Sequence, residues 1–308
     1  MIYDVIIIGA GPAGMTSAIY TKRSGLNVLV IEQGMPGGQA ATTHAIENYP
    51  GFKEPISGPD LMLNFFEQMM SFGVEMVTKR VEKINISEPV KEVVTSDATY
   101  QAKALILASG AQPRLLGAEG EGKYRGKGVS YCATCDGFFF KDKDVVVVGG
   151  GDSALEESLY LSKICKSVTI IHRRETFRGA KILQDRVYAA ENITVMMDYM
   201  VEEIAGTEDK VTALQIKHVN TEEASSLATD GVFIFVGYLP NADYIVPENG
   251  LLQDGLGYIG TDETLMTDQP GVFVAGDLRV KTLRQVTTAV GDGALVNVAV
   301  ERYLSEVN

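Results

Sequence analysis

The sequence predicts an α/β protein with two Rossmann-like domains, the second inserted into the first. Three observations predict it. A strand, glycine turn, helix, strand pattern occurs twice; its two copies end in side chains of opposite charge; and segments reading as a strand followed by a linker bracket the second copy. The 308 residues suffice for two domains of ordinary size. A composition of 45% hydrophobic and 22% charged residues is that of a globular chain with a full core.

The first copy is "YDVIIIGAGPAGMTSAIYTKRSGLNVLVIEQG". Val5 to Ile8 form an apolar run short enough for a buried parallel strand. Gly9, Gly11 and Gly14 follow as GxGxxG, with Pro12 and Ala13 between them. Met15 to Ser24 continue as helix, Gly25 ends it, and Val28 to Ile31 form a second strand closed by Glu32. Glycines at this spacing allow a tight turn and a close approach of backbone to a pyrophosphate, which the free N–H groups and dipole of the helix N-terminus attract. A carboxylate at the end of the second strand accepts hydrogen bonds from ribose hydroxyls and repels a 2′-phosphate, so this site suits FAD or NAD.

The second copy is "KDVVVVGGGDSALEESLYLSKICKSVTIIHRRETFR". Its strand is Val145 to Val148, its turn Gly149, Gly151 and Ala154, its helix runs to about Lys163, and its second strand is Val168 to Ile171. His172, Arg173 and Arg174 stand where the acid stood, and Arg178 follows. Guanidinium groups clamp phosphate through paired hydrogen bonds, so the cluster suits the 2′-phosphate of NADPH.

The flanking segments set the topology. "LILASGAQPRLLGAEGEGKYRGKGVS" starts as a strand, Ala104 to Ala108, then breaks into a Gly-rich, charged loop. "FIFVGYLPNADYIVPENG" mirrors it, with a strand from Val232 to Val236 and then Gly237 and Pro240. The expected domains are therefore 1–115 with 244–308, and 116–243 inserted between them. The C-terminal part reads as a strand, Val272 to Ala275, ending in Gly276 and Asp277, and then a helix from about Leu283 with a break near Gly291 to Gly293.

The formal net charge of −13 argues against broad nucleic-acid or anionic-membrane binding, which needs an excess of Lys and Arg. No apolar run reaches the roughly 18 residues of a transmembrane helix. The N-terminus enters a strand directly, with no basic stretch or small-residue cleavage site, so the expected location is cytoplasmic.

Three cysteines are present. Cys165 reads as a small buried hydrophobe on a helix. Cys132 and Cys135, in "GVSYCATCDGFFF", admit three readings: a structural disulfide, half a metal site, or a redox couple. A cytosolic chain this long does not need a staple. Zinc needs further ligands, and no second CxxC or HxxxH exists. CxxC is also the spacing of dithiol–disulfide couples. Asp136 beside it serves either as a turn cap or as a proton carrier for a departing thiolate.

With these motifs in this order, the chain resembles the low-molecular-weight thioredoxin reductases of bacterial and archaeal type. The resemblance spans essentially the whole chain and rests on GAGPAG at 9–14, "GGQ" at 37–39, "ENYPGF" at 47–52 and "CATCDG" at 132–137. It rests equally on "GGGDSALEE" at 149–157, "HRRETFR" at 172–178 and "GDLRVKTLRQVTTAVGDG" at 276–293. It implies a three-layer ββα form for each domain, FAD on the discontinuous domain and NADPH on the inserted one. On matching positions, FAD meets Gly9, Gly11, Pro12, Ala13 and Gly14 at the pyrophosphate, and Glu32 at the ribose. Gly37, Gly38, Gln39 and Asn48 lie on the flavin side, and Asp277 at the ribityl chain or pyrophosphate. Arg284, Gln285 and Val286 lie by the isoalloxazine, Val286 standing where the family often has Ala. NADPH takes Gly151, Asp152, Ser153, His172, Arg173, Arg174 and Arg178.

The resemblance further implies hydride transfer from NADPH to FAD, reduction of a Cys132–Cys135 disulfide with Cys135 facing the flavin, proton transfer assisted by Asp136, and attack by Cys132 on the disulfide of thioredoxin. It implies a homodimer, and rotation of the inserted domain about Gly110 to Leu116 and Gly237 to Asp243. Three rivals diverge from this expectation: a ferredoxin-dependent flavin thioredoxin reductase, a CxxC flavoprotein dithiol oxidase, and a non-enzymatic nucleotide-sensing scaffold. The intact HRRxxxR cluster disfavours the first two, and CxxC beside Asp136 the third.

Overall fold

In the computed structural model the described residues are 1–43, 46–86 and 89–307, and the side chain of Cys135 lies outside them. Two compact units form, Met1–Gln112 with Leu239–Asn308, and Pro113–Tyr238. Each chain crossing falls a few residues ahead of the boundary expected from sequence.

The first unit opens with β1 (Ile2–Ile8), α1 (Pro12–Arg23), β2 (Val28–Glu32), α2 (Gly58–Ser71), β3 (Glu75–Thr78), β4 (Val81–Asn85), β5 (Lys91–Thr95), β6 (Thr99–Leu107) and β7 (Ala111–Pro113). The second holds β8 (Val129–Ser130), the single turn α3 (Ala133–Asp136), β9 (Asp144–Gly149), α4 (Asp152–Ser162), β10 (Ser167–His172), α5 (Lys181–Ala189), β11 (Ile193–Met197), β12 (Tyr199–Gly206), β13 (Val211–His218), β14 (Ala224–Ala228) and β15 (Gly231–Phe235). The return brings β16 (Tyr238–Pro240), β17 (Val272–Val274) and α6 (Val286–Val307). At the crossings, β7 and β16 form a two-stranded sheet of their own.

In the first unit the strands order as β3-β2-β1-β6-β5-β4. Strand β6 forks: Thr99 to Ala102 pair antiparallel with β5, while Leu105 to Leu107 pair parallel with β17. The parallel part is buried on both faces, which is why β1, β2 and β6 read as continuous apolar runs. One face packs Met15, Leu61, Met69, Val296 and Val300 of α1, α2 and α6; the other packs Ile84, Val93 and Ile259.

The second unit repeats the plan with a parallel sheet, β11-β10-β9-β15-β8. Leu155, Leu161 and Val187 of α4 and α5 cover one face, and the antiparallel meander β12-β13-β14 covers the other through Ile204, Leu214 and Ile216. This is the helix, sheet, sheet layering of the ββα expectation. Among the described residues no helix is long and apolar enough to cross a membrane.

One expectation is corrected. The C-terminal helix starts at Val286 and runs unbroken through Gly291 and Gly293. A Cβ on Gly293 would lie 2.6 Å from the carbonyl oxygen of Ala13, so the glycine lets α6 press onto α1 rather than interrupting the helix.

Candidate active site

The first glycine turn joins β1 to α1. Gly9 has φ +105°, and a Cβ there would collide with the carbonyl of Ala108 at the end of β6. A Cβ on Gly14 would fall on the carbonyl oxygen of Gly9. Gly11 is the N-cap of α1 in extended backbone, and no side chain caps it, so the first N–H groups of α1 have no intrahelical or side-chain acceptor. With Pro12 and Ala13 opening the helix, this is an anion seat. Glu32 closes β2 and reaches back to it: Ala10 N–H donates to Oε2 at 2.7 Å and Gly34 N–H to Oε1 at 3.0 Å. A carboxylate offers about four lone-pair sites, so about two are left over for further donors. A cavity of about 270 Å³ opens here, lined by Gly9, Glu32, Gln33, Arg80, Val81 and Tyr244 among others.

The loop at 37–39 joins the same turn, since Gly37 N–H donates to the carbonyl of Ala10 at 2.8 Å and Gln39 lies in the short helical turn Gly38–Thr42. Asn48 Nδ2 donates to Gln285 Oε1 at 3.1 Å, which unites two residues far apart in sequence. Arg284 lies over the Tyr258 ring at 3.9 Å and directs Nε toward the carbonyl of Asp277 at 3.5 Å. Val286 is the first residue of α6. Asp277 follows β17 and is held above the ordinary carboxylate range by burial; Lys281 and Arg284 pull it back down and Asp292 adds to the rise. Its Oδ1 is buried without a partner among the described residues. An orphaned buried oxygen demands a donor. A ribityl hydroxyl or a pyrophosphate-bound water supplies one, so the site fits FAD.

The second turn, in the other unit, has the same backbone and a different exit. Gly151 caps α4 in extended conformation, again with no side-chain cap. Asp152 Oδ1 accepts the N–H of Ala180 at 2.6 Å, and Arg178 N–H donates to the carbonyl of Gly150 at 2.7 Å. The arginine loop is thereby tied to the glycine turn, with Ser153 in the first helical turn. Arg173, Arg174 and Arg178 are exposed, and none pairs with a carboxylate among the described residues. His172 behaves differently. It is buried, its Nε2 lies 3.1 Å from the carbonyl of Thr176, and a Cβ on Gly150 would run into its ring. Burial lowers its pKa, with the hydrogen bond to the Thr176 carbonyl opposing and the three arginines adding. His172 therefore shapes the loop that presents the arginines.

The CxxC segment hangs from β8, whose Ser130 pairs with Phe233 of β15. Cys132 is disulfide-bonded, whereas Cys165 is free, buried, and pushed up to about 11 by burial and then Asp142. Asp136 N–H donates to the Cys132 carbonyl at 3.2 Å and closes α3. Ser130 Oγ donates to Asp136 Oδ2 at 2.7 Å and accepts Cys132 N–H at 3.0 Å. On the other side, Tyr131 OH donates to Glu121 Oε1 at 2.6 Å, and Glu121 also accepts the N–H groups of Leu116 and Gly117. Phe138 and Phe139 are 72% and 71% exposed, while Phe140 is buried edge-on against Phe233. Ser130, Tyr131, Glu121 and the two exposed phenylalanines escape the sequence reading. Only the triplet FFF after CxxC signals any of them, and nothing in it says which ring points inward.

Residues 3–293 match the pyridine nucleotide-disulphide oxidoreductase family. A thioredoxin reductase of Listeria monocytogenes is 46% identical over 306 residues, covering 99% of this chain and 95% of its own. The chain is a member of the thioredoxin reductase family. The solved structure of thioredoxin reductase from Lactococcus lactis superposes with a TM-score of 0.96 at 44% identity over 99% of each chain. That from T. acidophilum gives 0.93 at 36% identity, again over 99% of each. These family members share the layered fold of both units described above.

Proposed function

We propose that the enzyme reduces the disulfide of thioredoxin with electrons from NADPH. The observation that carries this is the disulfide-bonded Cys132 one turn from Asp136, in the unit that also bears the arginine-ended nucleotide turn. FAD, when bound, supplies the two-electron relay between nicotinamide and disulfide. We assign its pyrophosphate and ribose to Gly9, Gly11, Pro12, Ala13, Gly14 and Glu32. Asp277, Arg284, Gln285, Val286, Asn48 and the loop Gly37, Gly38 and Gln39 hold the rest. Gly151, Asp152 and Ser153 take the NADPH pyrophosphate, and Arg173, Arg174 and Arg178 its 2′-phosphate.

Cys135 is the partner of Cys132 in this reading and the cysteine that faces the flavin. Asp136 holds the proton delivered to the departing thiolate, and Cys132 attacks the incoming disulfide. Exposed Phe138 and Phe139 beside Cys132 support a protein substrate, because neighbouring exposed aromatic rings mark interaction surfaces. Left-handed backbone at Gly110 (φ +68°) and Gly237 (φ +111°) supports the two crossings as pivots. Exposed Leu63 and Met70 on α2, with Leu295 and Val298 on α6, support a homodimer. We place the enzyme in the cytoplasm, where dithiol couples of this kind are kept reduced.

Anaerobic mixing tests the assignment. NADPH bleaches the flavin absorbance and thioredoxin restores it. Bleaching by reduced ferredoxin with none by NADPH would sink it.

A further inference from the structure

We propose that Ser130 is a positioning residue that senses the protonation state of Asp136 and relays it to the Cys132 peptide. This rests on Asp136 carrying the proton of the thiol step. Ser130 is 4% exposed at the end of β8 and held in the sheet by its pairing with Phe233. Its hydroxyl meets three polar atoms: Asp136 Oδ2 at 2.7 Å, the Cys132 carbonyl oxygen at 3.1 Å, and Cys132 N–H at 3.0 Å.

A hydroxyl has one proton and two lone pairs. Ser130 therefore donates to one of the two oxygens at a time. When Asp136 is a carboxylate, the proton points to Oδ2, because a charge-assisted hydrogen bond is the stronger. The lone pairs then hold Cys132 N–H, and the Cys132 carbonyl keeps the N–H of Asp136. When Asp136 takes up a proton, its own O–H donates to Ser130 Oγ. The serine proton turns to the Cys132 carbonyl, and the second lone pair still holds Cys132 N–H. The contacts with Asp136 and with Cys132 N–H are used in both states, the contact with the Cys132 carbonyl only in the second, and no buried polar group is stranded in either. Ser130 itself neither gains nor loses a proton. The Cys132 peptide gains a second hydrogen bond on its carbonyl only when Asp136 is loaded for delivery.

The other ionisable groups on the elements around α3 are Asp152, Glu156, Glu157 and Tyr160 on α4, Tyr131 with Glu121 on the incoming loop, and Lys143, which donates to the Phe139 carbonyl at 3.0 Å. Among the described residues none of them hydrogen-bonds Asp136, so Ser130 is its side-chain contact.

The test is the pH dependence of thioredoxin reduction by the holoenzyme in wild type, Ser130→Ala, Ser130→Thr, Asp136→Asn and the Ser130→Ala/Asp136→Asn double variant. Removing a donor from a carboxylate favours its protonated form. The pH profile of Ser130→Ala therefore departs from wild type in the limb that Asp136→Asn abolishes, and turnover falls about tenfold. Ser130→Thr, which keeps the hydroxyl, restores both. The double variant is no slower than Asp136→Asn alone, because the two residues act as one unit. NADPH-driven flavin bleaching and the melting temperature report on the fold, and Ser130→Gly carries the same expectations if the alanine variant does not fold. A wild-type pH profile in Ser130→Ala beside an abolished limb in Asp136→Asn overturns the proposal and leaves the role of Asp136 standing. Multiplying effects in the double variant overturn it as well. An unchanged profile in Asp136→Asn overturns the underlying proton role instead.

Discussion

The two dinucleotide turns share a backbone and differ in everything that meets the far end of the nucleotide. Gly11 and Gly151 cap their helices with nearly the same dihedrals, φ −79°, ψ −174° and φ −99°, ψ −179°. Gly9 and Gly149 both have positive φ, and in each a Cβ would strike the strand next to the turn, at Ala108 or Phe235. Beyond that the units part. In the first, Glu32 binds the turn's own Ala10 N–H and leaves lone pairs for hydroxyls. In the second, a buried His172 fills the corresponding corner and three arginines stand out in water. Backbone amides read the pyrophosphate that both nucleotides share, and strand-end charge reads what distinguishes them.

The sharpest way to break the parallel is at the third small residue, Gly14 in one turn and Ala154 in the other. A Cβ on Gly14 would land on the carbonyl oxygen of Gly9, so Gly14→Ala should cost about 3 kcal/mol and release flavin. Ala154 is buried without such a clash, and Ala154→Gly should cost only about 1 kcal/mol through backbone entropy. Flavin content and urea midpoints of the two variants check this; equal losses would show that the turns are packed alike.

Next in size is the charge at the strand ends. Replacing Arg173 and Arg174 with Gln removes two charge-assisted phosphate contacts. It should lower kcat/KM for NADPH by about 100-fold, at roughly 1.5 kcal/mol per contact, and leave NADH nearly unchanged. Equal losses with both donors would place the 2′-phosphate elsewhere. Glu32 gives the reverse case, since its carboxylate is already half engaged by the turn.

These features were legible because each fingerprint is local: glycines, strand and terminal charge lie within one short stretch, and backbone geometry fixes what they do. Contacts across long separations were not legible. The Asn48–Gln285 hydrogen bond joins two loops that resemblance alone placed by the flavin. His172, read as a phosphate ligand with its neighbours, turned inward because the alternating strand β10 points it at Gly150. The glycines at 291 and 293 read as a helix break, yet the helix runs through both, and Gly293 serves the close contact of α6 with α1. Ser130 was hidden in a two-residue strand too short for any period to reveal.

A gentler contrast, spread over several pH units, comes from one position on the two fingerprint helices. Ser17 lies eight residues beyond Gly9 (17 − 9 = 8) and Glu157 eight beyond Gly149 (157 − 149 = 8). Ser17 is fully buried and satisfied by the Ala13 carbonyl at 2.8 Å. Glu157 carries an Oε2 that is closed off from water and has no partner among the described residues. Burial, with Glu156 adding to it, pushes the Glu157 carboxyl up to about 8. The folded chain therefore keeps a proton that the unfolded chain has released above its ordinary carboxylate pKa. Stability is full below that ordinary value, falls as pH rises toward about 8, and is flat beyond. Each unit of difference is worth about 1.4 kcal/mol, and with the side chain only partly enclosed the expected fall is roughly 2 kcal/mol. Urea midpoints from pH 5 to 9 should show this slope in wild type and lose it in Glu157→Gln, which keeps the shape and removes the titration. An identical slope in both proteins would mean that Glu157 finds a donor on folding, as Ser17 finds an acceptor.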